Sequence, residues 1–329
     1  MGRSSYQLAH GLAGMLIVDD DSAASADLPH EYGVDDVPII LQCSAVDAAG
    51  DLKYDFLTYN EEGVVFPVLV NGANVEQRTL TFAAGRRRVR LRLLNASVTD
   101  NFTVSRADGG PLTQVATEAA YLTAPTLVNS VRLVAGARAE VIVEVTGPVT
   151  LRADVETTWV EGGSGSYEFL RIDPPAKPRP VRPLPSALNE IARFDTSGLT
   201  PRELRMTWNL TTQGMGFNDV VGTTMEAMMA SMIHVRLDET ELWRVINTTE
   251  LEHSFHLHGV PFQIVSLDGV PPTGVDLGWK DTVEVGPKAT VEVAMQFTDY
   301  ADPVYMYMIH CHLSPHEDEG MMAGVMVME

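Results

Sequence analysis

The tripeptide at residues 310–312 limits most strongly what this chain can fold into. It reads His310, Cys311, His312. Successive side chains of a β-strand point to opposite faces of the sheet, so a strand here directs the two imidazoles one way and the thiol the other. Such a strand can contribute to two metal centres, one on each face of its sheet. We therefore predict β-structure at this point.

A second histidine motif precedes this one. His256 and His258 are two residues apart, so a strand places both imidazoles on one face, whereas His253 lies outside this alternation and can serve a separate centre. Two imidazoles, a thiolate and a weak axial thioether form the blue-copper arrangement for electron transfer. The residues that complete this arrangement are His253, Cys311, His316 and Met321.

Zinc is the chemical alternative to copper, because zinc also binds cysteine and histidine. Zinc sites rarely include a methionine, however, and they have no use for a second histidine cluster on the same cysteine strand. We therefore predict copper. The other cysteine, Cys43, ends an apolar run that begins at Ile39, and we interpret it as a buried core residue.

Short apolar segments recur along the whole chain, with glycine, proline, asparagine and aspartate between them. This pattern is typical of β-sandwiches, so we predict an all-β fold. The clearest segments of this kind are residues 37–41, 89–94, 139–145, 242–246, 262–265 and 289–293.

Residues 86–94 combine this β pattern with several arginines. Val89, Leu91 and Leu93 alternate, so they share one face of a strand and leave the arginines on the other. The formal net charge of −21 argues against nucleic acid or an anionic membrane as a partner, because both would repel the chain. We interpret the arginine face as a solvated sheet face.

A proline-rich stretch divides the chain. A length of 329 residues accommodates about two domains, and the prolines of residues 173–185 are typical of a semi-rigid extended linker. We predict a β domain at 31–172, a linker at 173–190 and a second β domain at 191–329. No apolar run reaches the roughly 18 residues of a membrane span, and residues 1–6 lack the features of a signal peptide.

Four methionines fall at helical spacing before the metal motifs. They are Met225, Met228, Met229 and Met232. One interpretation is that they form the packed face of a short helix. The other is that their thioethers, which are soft ligands, receive Cu(I) near the reactive site.

The stretch from His253 to Val327 resembles the C-terminal domain of multicopper oxidases, especially the bacterial branch with copper-efflux cuprous oxidase, spore-coat laccase and bilirubin oxidase. Residues 278–283 (Gly-Trp-Lys-Asp-Thr-Val) and 316–322 (His-Glu-Asp-Glu-Gly-Met-Met) carry this resemblance together with the histidine motifs. Residues 7–20 are similar to the end of the family's first cupredoxin domain, and residues 36–42 to the opening of its second.

The resemblance implies cupredoxin-like Greek-key β-sandwiches. Two domains would be complete, and residues 1–30 would be the remnant of a missing first domain with its last strand at 12–19. The family's N-terminal His-x-His-Gly and His-Pro-His motifs have no counterpart here, since His10, His30 and His234 lack their spacing. We expect either a start placed at an internal methionine or a fragment.

The resemblance also implies a role for each ligand. Type 1 copper, which takes electrons from the substrate, would bind His253, Cys311, His316 and Met321. Type 2 copper would bind His256, and the type 3 pair would bind His258, His310 and His312. Cys311 would pass electrons through its peptide bonds to the flanking histidines, where dioxygen is reduced to water. This chain contains four of the eight histidines that the family uses at the oxygen-reducing centre. We therefore expect only the type 1 site to be complete, and we expect dioxygen reduction by this chain alone to be weak.

Three acidic residues lie beside these ligands. Glu317 resembles a residue that relays protons towards the oxygen site; the alternative is an ordinary turn carboxylate. Glu250 and Glu252 precede His253 and could guide Cu(I) or accept a proton from a phenol, or belong to an ordinary exposed loop.

The expected function is that of a multicopper oxidase that oxidises Cu(I) or phenolic compounds and reduces dioxygen, with copper as its cofactor. The family resemblance implies a periplasmic or extracellular location. The alternative is a copper-binding electron-transfer or scaffold module without oxidase activity. Relatives that act structurally lose the ligands, whereas every C-terminal ligand is present here.

Overall fold

The computed structural model describes residues 3–19, 22, 27–47, 49–53, 65, 67–156, 164–177, 181–209, 211 and 214–329. The chain divides into two compact units. The N-terminal unit is Tyr6–Glu190, and the C-terminal unit is Ile191–Glu329 together with the residues up to Ser5. Both units are built mainly of β-strands, so the all-β prediction is confirmed. The predicted domain boundaries stay a prediction.

Within the described residues, the N-terminal unit has a seven-stranded sheet, a five-stranded sheet and a two-stranded ladder. The seven strands, in spatial order, are β10 (Tyr121–Val128), β9 (Leu112–Ala116), β12 (Arg138–Glu144), β7 (Arg88–Asn95), β1 (Asp36–Cys43), β4 (Val68–Val70) and β5 (Ala73–Asn74). The five strands are β11 (Ser130–Leu133), β8 (Asn101–Arg106), β13 (Val149–Glu156), β14 (Gly165–Asp173) and β6 (Leu80–Ala83). The ladder joins β2 (Ala45–Val46) and β3 (Leu52–Lys53).

Alternation of apolar residues gives this unit its core. In β13, Val149, Leu151 and Ala153 are buried and the residues between them are partly exposed. These side chains belong to the same apolar cluster as Leu91 and Val141 of the other sheet. The two sheets therefore form a sandwich, which is the arrangement expected when each sheet is apolar on one face.

In the described part of the C-terminal unit, ten strands form two five-stranded sheets. One contains β16 (Gly214–Phe217), β15 (Arg202–Asn209), β18 (Thr240–Asn247), β22 (Thr290–Gln296) and β20 (Phe262–Leu267). The other, called here the histidine sheet, contains in spatial order β17 (Ile233–Arg236), β24 (Met322–Met328), β23 (Tyr307–Cys311), β19 (His253–Leu257) and β21 (Thr282–Val285). Phe255 of the histidine sheet packs between Phe217 and Phe262 of the opposite sheet, so this unit is also a sandwich.

Helices are short and few in the described residues. They are α1 (Ser4–Ala9), α2 (Met225–Ala230) and α3 (Ser314–Asp318), with a single 3₁₀ turn at Gly274–Leu277. Thr224 caps α2, since its hydroxyl accepts a hydrogen bond from the Ala227 N–H. None of the described helices has the length and apolar character needed to cross a membrane.

Residues 12–19 do not form a strand in this chain, and their expected role as the last strand of a missing first domain stays a prediction. These residues pair with no strand in the described part of the chain, and Leu16 and Val18 are 91% and 81% exposed. The apolar alternation is present, but a strand forms only where a neighbouring backbone completes its hydrogen bonds. Residues 15–18 instead form one wall of a cavity of about 530 Å³ in the N-terminal unit, opposite Arg90 and Arg138.

The arginine face of β7 is not solvated as the sequence suggested. Arg90 and Arg92 are only 1% and 6% exposed. Arg92 donates hydrogen bonds to both carboxylate oxygens of Asp36 at 2.7–3.1 Å and to Asp19 at 2.6 Å. Arg90 donates to Glu140 at 2.8 Å. Neighbouring strands and the N-terminal segment cover these guanidinium groups with carboxylates, which the pattern of one strand does not show.

We expect the substitution Asp36→Asn to destabilise the N-terminal unit. It removes the buried carboxylate that Arg92 contacts with two nitrogens, and breaking a buried ion pair leaves a charge without its counter-charge. Because Asp19 and Glu140 also contact Arg92, we expect the free energy of unfolding to fall by about 2 to 3 kcal/mol, somewhat less than for a fully isolated pair. Urea denaturation measures this loss.

The control is Asp108→Asn, which alters the exposed ion pair between Asp108 and Arg106. Exposed pairs contribute less than about 1 kcal/mol. Equal effects of the two substitutions would contradict the structural importance of the Arg92 network.

Candidate metal centres

The pairing of β19 with β23 builds both clusters of metal-binding residues. Phe255 lies opposite Cys311, and His256 lies opposite His310. Because paired residues share a face of the sheet, the thiol of Cys311 points into the sandwich core with Phe255. The imidazoles of His256 and His310 point away from it. The histidine sheet therefore carries one cluster on each face.

The core-facing cluster contains His253, Cys311 and His316, which are at most 1% exposed. The Cys311 Sγ lies 3.6 Å from His253 Nδ1 and 3.4 Å from His316 Nδ1. The two Nδ1 atoms are 2.9 Å apart. Three ligand atoms of the type found in blue-copper sites thus converge on one point.

These separations fit a metal ion. With metal–nitrogen distances of about 2.0 Å, metal–sulfur distances of about 2.3 Å and trigonal angles, ligand atoms would be about 3.5 to 3.7 Å apart. The two sulfur–nitrogen distances already lie close to this range. The imidazoles of His253 and His316 need to separate by about half an ångström to accept an ion between them.

Buried hydrogen bonds orient His253. Its Nε2–H donates to the Thr249 hydroxyl at 2.8 Å, and that hydroxyl donates to the Asn247 side-chain oxygen at 2.8 Å. The Asn247 amide group donates to the carbonyls of Leu251, Val285 and Gly286. With the proton held on Nε2, Nδ1 presents its lone pair to the cluster. Such contacts fix the ring orientation of metal ligands.

Helix α3 brings His316 to this site. The helix begins after Leu313 with Pro315 in its first turn, and His316 donates its backbone N–H to the Leu313 carbonyl. The next turn returns the chain to β23, where the Cys311 N–H donates to the Met321 carbonyl at 3.0 Å. Met321 is fully buried beside Cys311. Its role as the axial ligand stays a prediction.

The opposite face of the histidine sheet carries four imidazoles. Ring centroids of neighbouring members are 5.0–5.4 Å apart, and the Nε2 atoms of His258 and His310 are 3.0 Å apart. Three of the rings place ligand nitrogens within 4.8 Å of one another. The cluster consists of His256, His258, His310 and His312, with His312 outside that group of three.

Two of these rings have their Nδ1 protons held by backbone carbonyls. His256 Nδ1–H donates to the Asp281 carbonyl at 2.9 Å, and His310 Nδ1–H donates to the Cys311 carbonyl at 3.0 Å. Each bond leaves Nε2 free of its proton and directed into the cluster. The second bond also joins the two clusters, because it connects the backbone of Cys311 to an imidazole of the other face.

Glu317 lies between the N-terminal helix and the imidazole cluster. One carboxylate oxygen accepts from the Ser4 hydroxyl at 2.9 Å, and the other is 3.6 Å from His310 Nδ1. Burial raises the pKa of this carboxyl group. Asp318 accepts from the backbone N–H groups of Ser4 and Ser5 at 2.8 and 3.0 Å. Sequence reasoning missed Ser4, Ser5 and Asp318, because no local pattern links residues more than 300 positions apart.

Burial also controls the protonation of the metal-binding residues. It lowers the pKa of His253 to about 3 and lowers the pKa values of His310 and His316 below their ordinary range. It raises the pKa of the Cys311 thiol to about 12. The imidazoles are therefore neutral and ready to bind at neutral pH, whereas a metal ion must displace the thiol proton.

The remaining predicted residues lie in different environments. The Glu250 side chain is 82% exposed and pairs with Lys288, and Glu252 is partly buried before His253. Met228 is fully buried, whereas Met225 and Met229 are 51% and 60% exposed. The methionine set is thus divided: one member packs in the core, as the first interpretation expected, and two are open to solvent. Met232, the fourth, is partly buried.

Comparisons with known proteins place this fold and site in a class. Two family models, both described as multicopper oxidase, match residues 47–150 and 199–329. The chain superimposes on the McoA multicopper oxidase of Aquifex aeolicus with a TM-score of 0.84 and 25% identity, over 100% of this chain and 74% of that one. The chain also superimposes on the laccase-like multicopper oxidase CueO of an Ochrobactrum species. The TM-score is 0.80 with 25% identity, over 99% of this chain and 74% of that one. The cupredoxin-like fold is confirmed.

The chain belongs to the multicopper oxidase family, as its sequence motifs predicted. Among curated proteins it is similar to the cell division protein FtsP. The FtsP of Xenorhabdus nematophila is 31% identical over 93% of this chain and 64% of its own length. The FtsP of Escherichia coli is 30% identical over 86% of this chain and 59% of its own length. The chain thus spans less than two thirds of these relatives, and sequence analysis did not anticipate a likeness to cell division proteins.

We expect the stability of the metal-free protein to depend on pH through His253. The unfolded imidazole gains a proton near pH 6.5, whereas the folded one stays neutral down to about pH 3. Stability from this residue is therefore complete above pH 6.5 and is lost as the pH falls. Between pH 7 and 5 the wild type should lose about 2 kcal/mol more than a His253→Gln variant.

Chemical denaturation of both metal-free proteins at several pH values measures this difference. The control is His10→Gln, because His10 is exposed and lies outside both clusters of metal-binding residues. Parallel pH profiles for the wild type and His253→Gln would show that His253 is not held neutral by burial.

Proposed function

We propose that this protein is a copper-dependent oxidoreductase that takes single electrons from Cu(I) or phenolic substrates and passes them to dioxygen. The convergence of the Cys311 thiol with two buried imidazoles is the observation that carries this proposal. Copper bound at the two clusters would supply one-electron transfer at the first and dioxygen reduction at the second. The protein residues hold the ligands, connect the clusters and manage protons.

The core-facing cluster is suited to electron entry because a hydrogen bond and a short helix hold its ligands in place. His253 is held by Thr249, and His316 by the turn of α3. A rigid site limits rearrangement when an electron arrives, and exclusion of water from this buried position keeps the thiolate from side reactions. Met321 would complete the set as a weak axial ligand.

The connection between the clusters is short. Cys311 is bonded through the peptide chain to His310 and His312, and its carbonyl accepts a hydrogen bond from the His310 ring at 3.0 Å. An electron that arrives at the thiolate thus has a covalent and a hydrogen-bonded route to the imidazole cluster. By family resemblance this cluster supplies four of the eight histidines of the oxygen-reducing centre.

Reduction of one dioxygen to two water molecules consumes four electrons and four protons. Glu317 is the acidic residue placed to handle protons beside this cluster, because its carboxyl group lies 3.6 Å from the His310 ring and burial raises its pKa. The Ser4 hydroxyl holds the other oxygen of this carboxyl group. The proton route proposed here therefore runs from the Ser4 side past Glu317 to the imidazole face.

Substrate would meet the protein near His253. Glu252 directly precedes His253 and is partly buried, and in this proposal its carboxylate attracts Cu(I) or accepts a phenol proton. Exposed Met225 and Met229 offer soft ligands for Cu(I). A periplasmic or extracellular location, where oxidising conditions and copper meet, is part of the same proposal.

A second candidate function is a copper-binding electron-transfer or scaffold role without oxidase activity. Its support is the likeness to FtsP, which is named a cell division protein. The complete His253, Cys311 and His316 set favours the oxidoreductase, because a scaffold has no need of a thiol and two imidazoles buried around one point.

Copper titration tests the core-facing site. We expect the wild type to develop the intense visible absorption of a copper(II)–thiolate bond at one copper per chain, and Cys311→Ser to lose it entirely. The matched control is Cys43→Ser, since Cys43 is also buried but lies in the N-terminal unit. Retention of the absorption in Cys311→Ser, or its loss in Cys43→Ser, would refute the assignment.

Anaerobic addition of Cu(I) or a phenol to the copper-loaded protein separates the two candidate functions. We expect the visible absorption to disappear as the site is reduced and to return only slowly when air is admitted, because this chain supplies four of the eight histidines of the oxygen-reducing centre. Bleaching without recovery indicates electron transfer without dioxygen reduction, which is the second candidate. No bleaching at all contradicts both electron-transfer roles.

Replacement of the acidic residue beside His310 tests proton delivery. We expect Glu317→Gln to slow the return of absorption in air by at least about tenfold, as for loss of a general acid, and to leave anaerobic bleaching unchanged. Glu319→Gln is the control, because Glu319 is half-buried in the same turn. Equal reoxidation rates for the two variants would exclude Glu317 from proton delivery.

A further inference from the structure

A turn between α3 and β24 carries two residues of the core-facing copper site. His316 lies in α3, and Met321 directly precedes β24. The His316 carbonyl accepts a hydrogen bond from the Met321 N–H at 2.8 Å, and the Met321 carbonyl accepts one from the Cys311 N–H at 3.0 Å. The backbone of this turn is therefore bonded to Cys311, and a displacement of the turn would move His316 and Met321 together.

Gly320 gives this turn its shape. Its φ of 107° lies in the region that favours glycine over residues with a side chain. A methyl group at Gly320 would also lie 2.6 Å from Val221 Cγ1 and 2.9 Å from the Gly222 nitrogen. A second segment of backbone thus lies directly against the turn.

Gly222 makes this backbone contact. It is buried, and its N–H donates to the Gly320 carbonyl at 2.7 Å; the same carbonyl accepts from the Met322 N–H at 2.8 Å. A methyl group at Gly222 would lie 2.3 Å from the Met322 carbonyl oxygen. Any side chain at this position would therefore push the two backbones apart, since packed backbone has no room to give way.

The segment that contains Gly222 is also held at its other end. Phe217 ends β16, and its backbone exchanges hydrogen bonds with Val220 at 3.0 and 3.1 Å across a tight turn. The Phe217 ring packs on Phe255 with centroids 6.3 Å apart, and Phe255 lies opposite Cys311. Residues 217–222 thus connect the support of Cys311 with the turn that carries Met321.

We propose that Gly222 is a positioning residue of the core-facing copper site, and that its hydrogen bond to Gly320 sets where Met321 and His316 stand relative to Cys311. This role rests on the proposed function, because it concerns copper bound at that site. The axial ligand tunes a blue-copper centre, and hydrogen-bonded groups outside the ligand set orient the ligands of metal sites. Gly222 belongs to none of the ligand motifs in the sequence.

Copper(II) titration of the full chain tests this role through spectroscopy. We expect Gly222→Ala to bind one copper per chain, as the wild type does, but with a copper(II)–thiolate absorption at a shifted wavelength and a changed hyperfine splitting in the EPR spectrum. The matched control is Gly85→Ala. The Gly85 N–H also donates to a carbonyl, that of Val34, and a methyl group there would lie 2.4 Å from Val34 Cγ1 in the N-terminal unit. This control should leave both spectra unchanged.

The possible failures are distinguishable. A wild type without the copper(II)–thiolate absorption would overturn the copper site and the role of Gly222 with it. A wild type with this absorption, together with identical spectra for Gly222→Ala, would overturn the positioning role alone. Equal spectral changes in Gly222→Ala and Gly85→Ala would also overturn it, because the change would then be a general response to a strained backbone.

Hydrogen exchange of the wild type decides the matter where Gly222→Ala folds poorly or binds no copper. If the Gly222 contact stabilises the metal site, bound metal stabilises the contact by the same factor. We expect anaerobic loading with Cu(I) to slow exchange of the Gly222 N–H by at least about fivefold. The Leu267 N–H, bonded to Val270 in the same unit but outside both clusters, should slow less. An unchanged rate at Gly222, or equal slowing at both positions, would contradict the proposal.

Discussion

The pairing of β19 with β23 is the constraint on which the rest of this structure depends. It places Phe255 opposite Cys311 and His256 opposite His310, and the two-residue period of a strand then assigns every ligand to a face. A shift of the register by one residue would move the thiol to the imidazole face and both flanking histidines into the core. The aromatic contacts of Phe255 with Phe217 and Phe262 of the opposite sheet oppose such a shift, because they anchor this register in the centre of the sandwich.

Buried hydrogen bonds turn this register into two usable clusters. Thr249 holds the Nε2 proton of His253, and backbone carbonyls hold the Nδ1 protons of His256 and His310. In each ring one nitrogen is thereby fixed as a donor and the other directed towards its cluster. The cost of burying these groups is visible in the lowered pKa of His253 and the raised pKa of Cys311. Metal binding would recover part of this cost, which explains why such polar residues are retained inside a sandwich core.

The family relationship and the site point to copper, whereas the names of the relatives point in two directions. The two solved structures described above are multicopper oxidases, and the curated relatives described above are cell division proteins. The geometry favours electron transfer because the core-facing cluster and the imidazole cluster are connected through Cys311 itself.

Much of the site was predictable from the sequence, because strand periodicity is a local property. The alternation in residues 310–312, the apolar faces of β7 and β13 and the burial of Cys43 all follow from it. Residues 12–19 show its limit: their apolar alternation resembles a strand, but strand formation requires a partner that the sequence pattern does not contain. The arginines of β7 show the same limit, since only the packed neighbours reveal that Asp36 and Glu140 cover them.

The sequence by itself thus determined the fold class, the family and the identity of the candidate ligands, because these depend on residue type and spacing. Only the tertiary structure decided which groups meet. It brought Ser4 to Glu317 and Asp36 to Arg92. Long-range contacts of this kind arise from the packing of sheets and loops. No repeating pattern in the sequence indicates them, because the two partners are far apart in the chain and meet only when it folds.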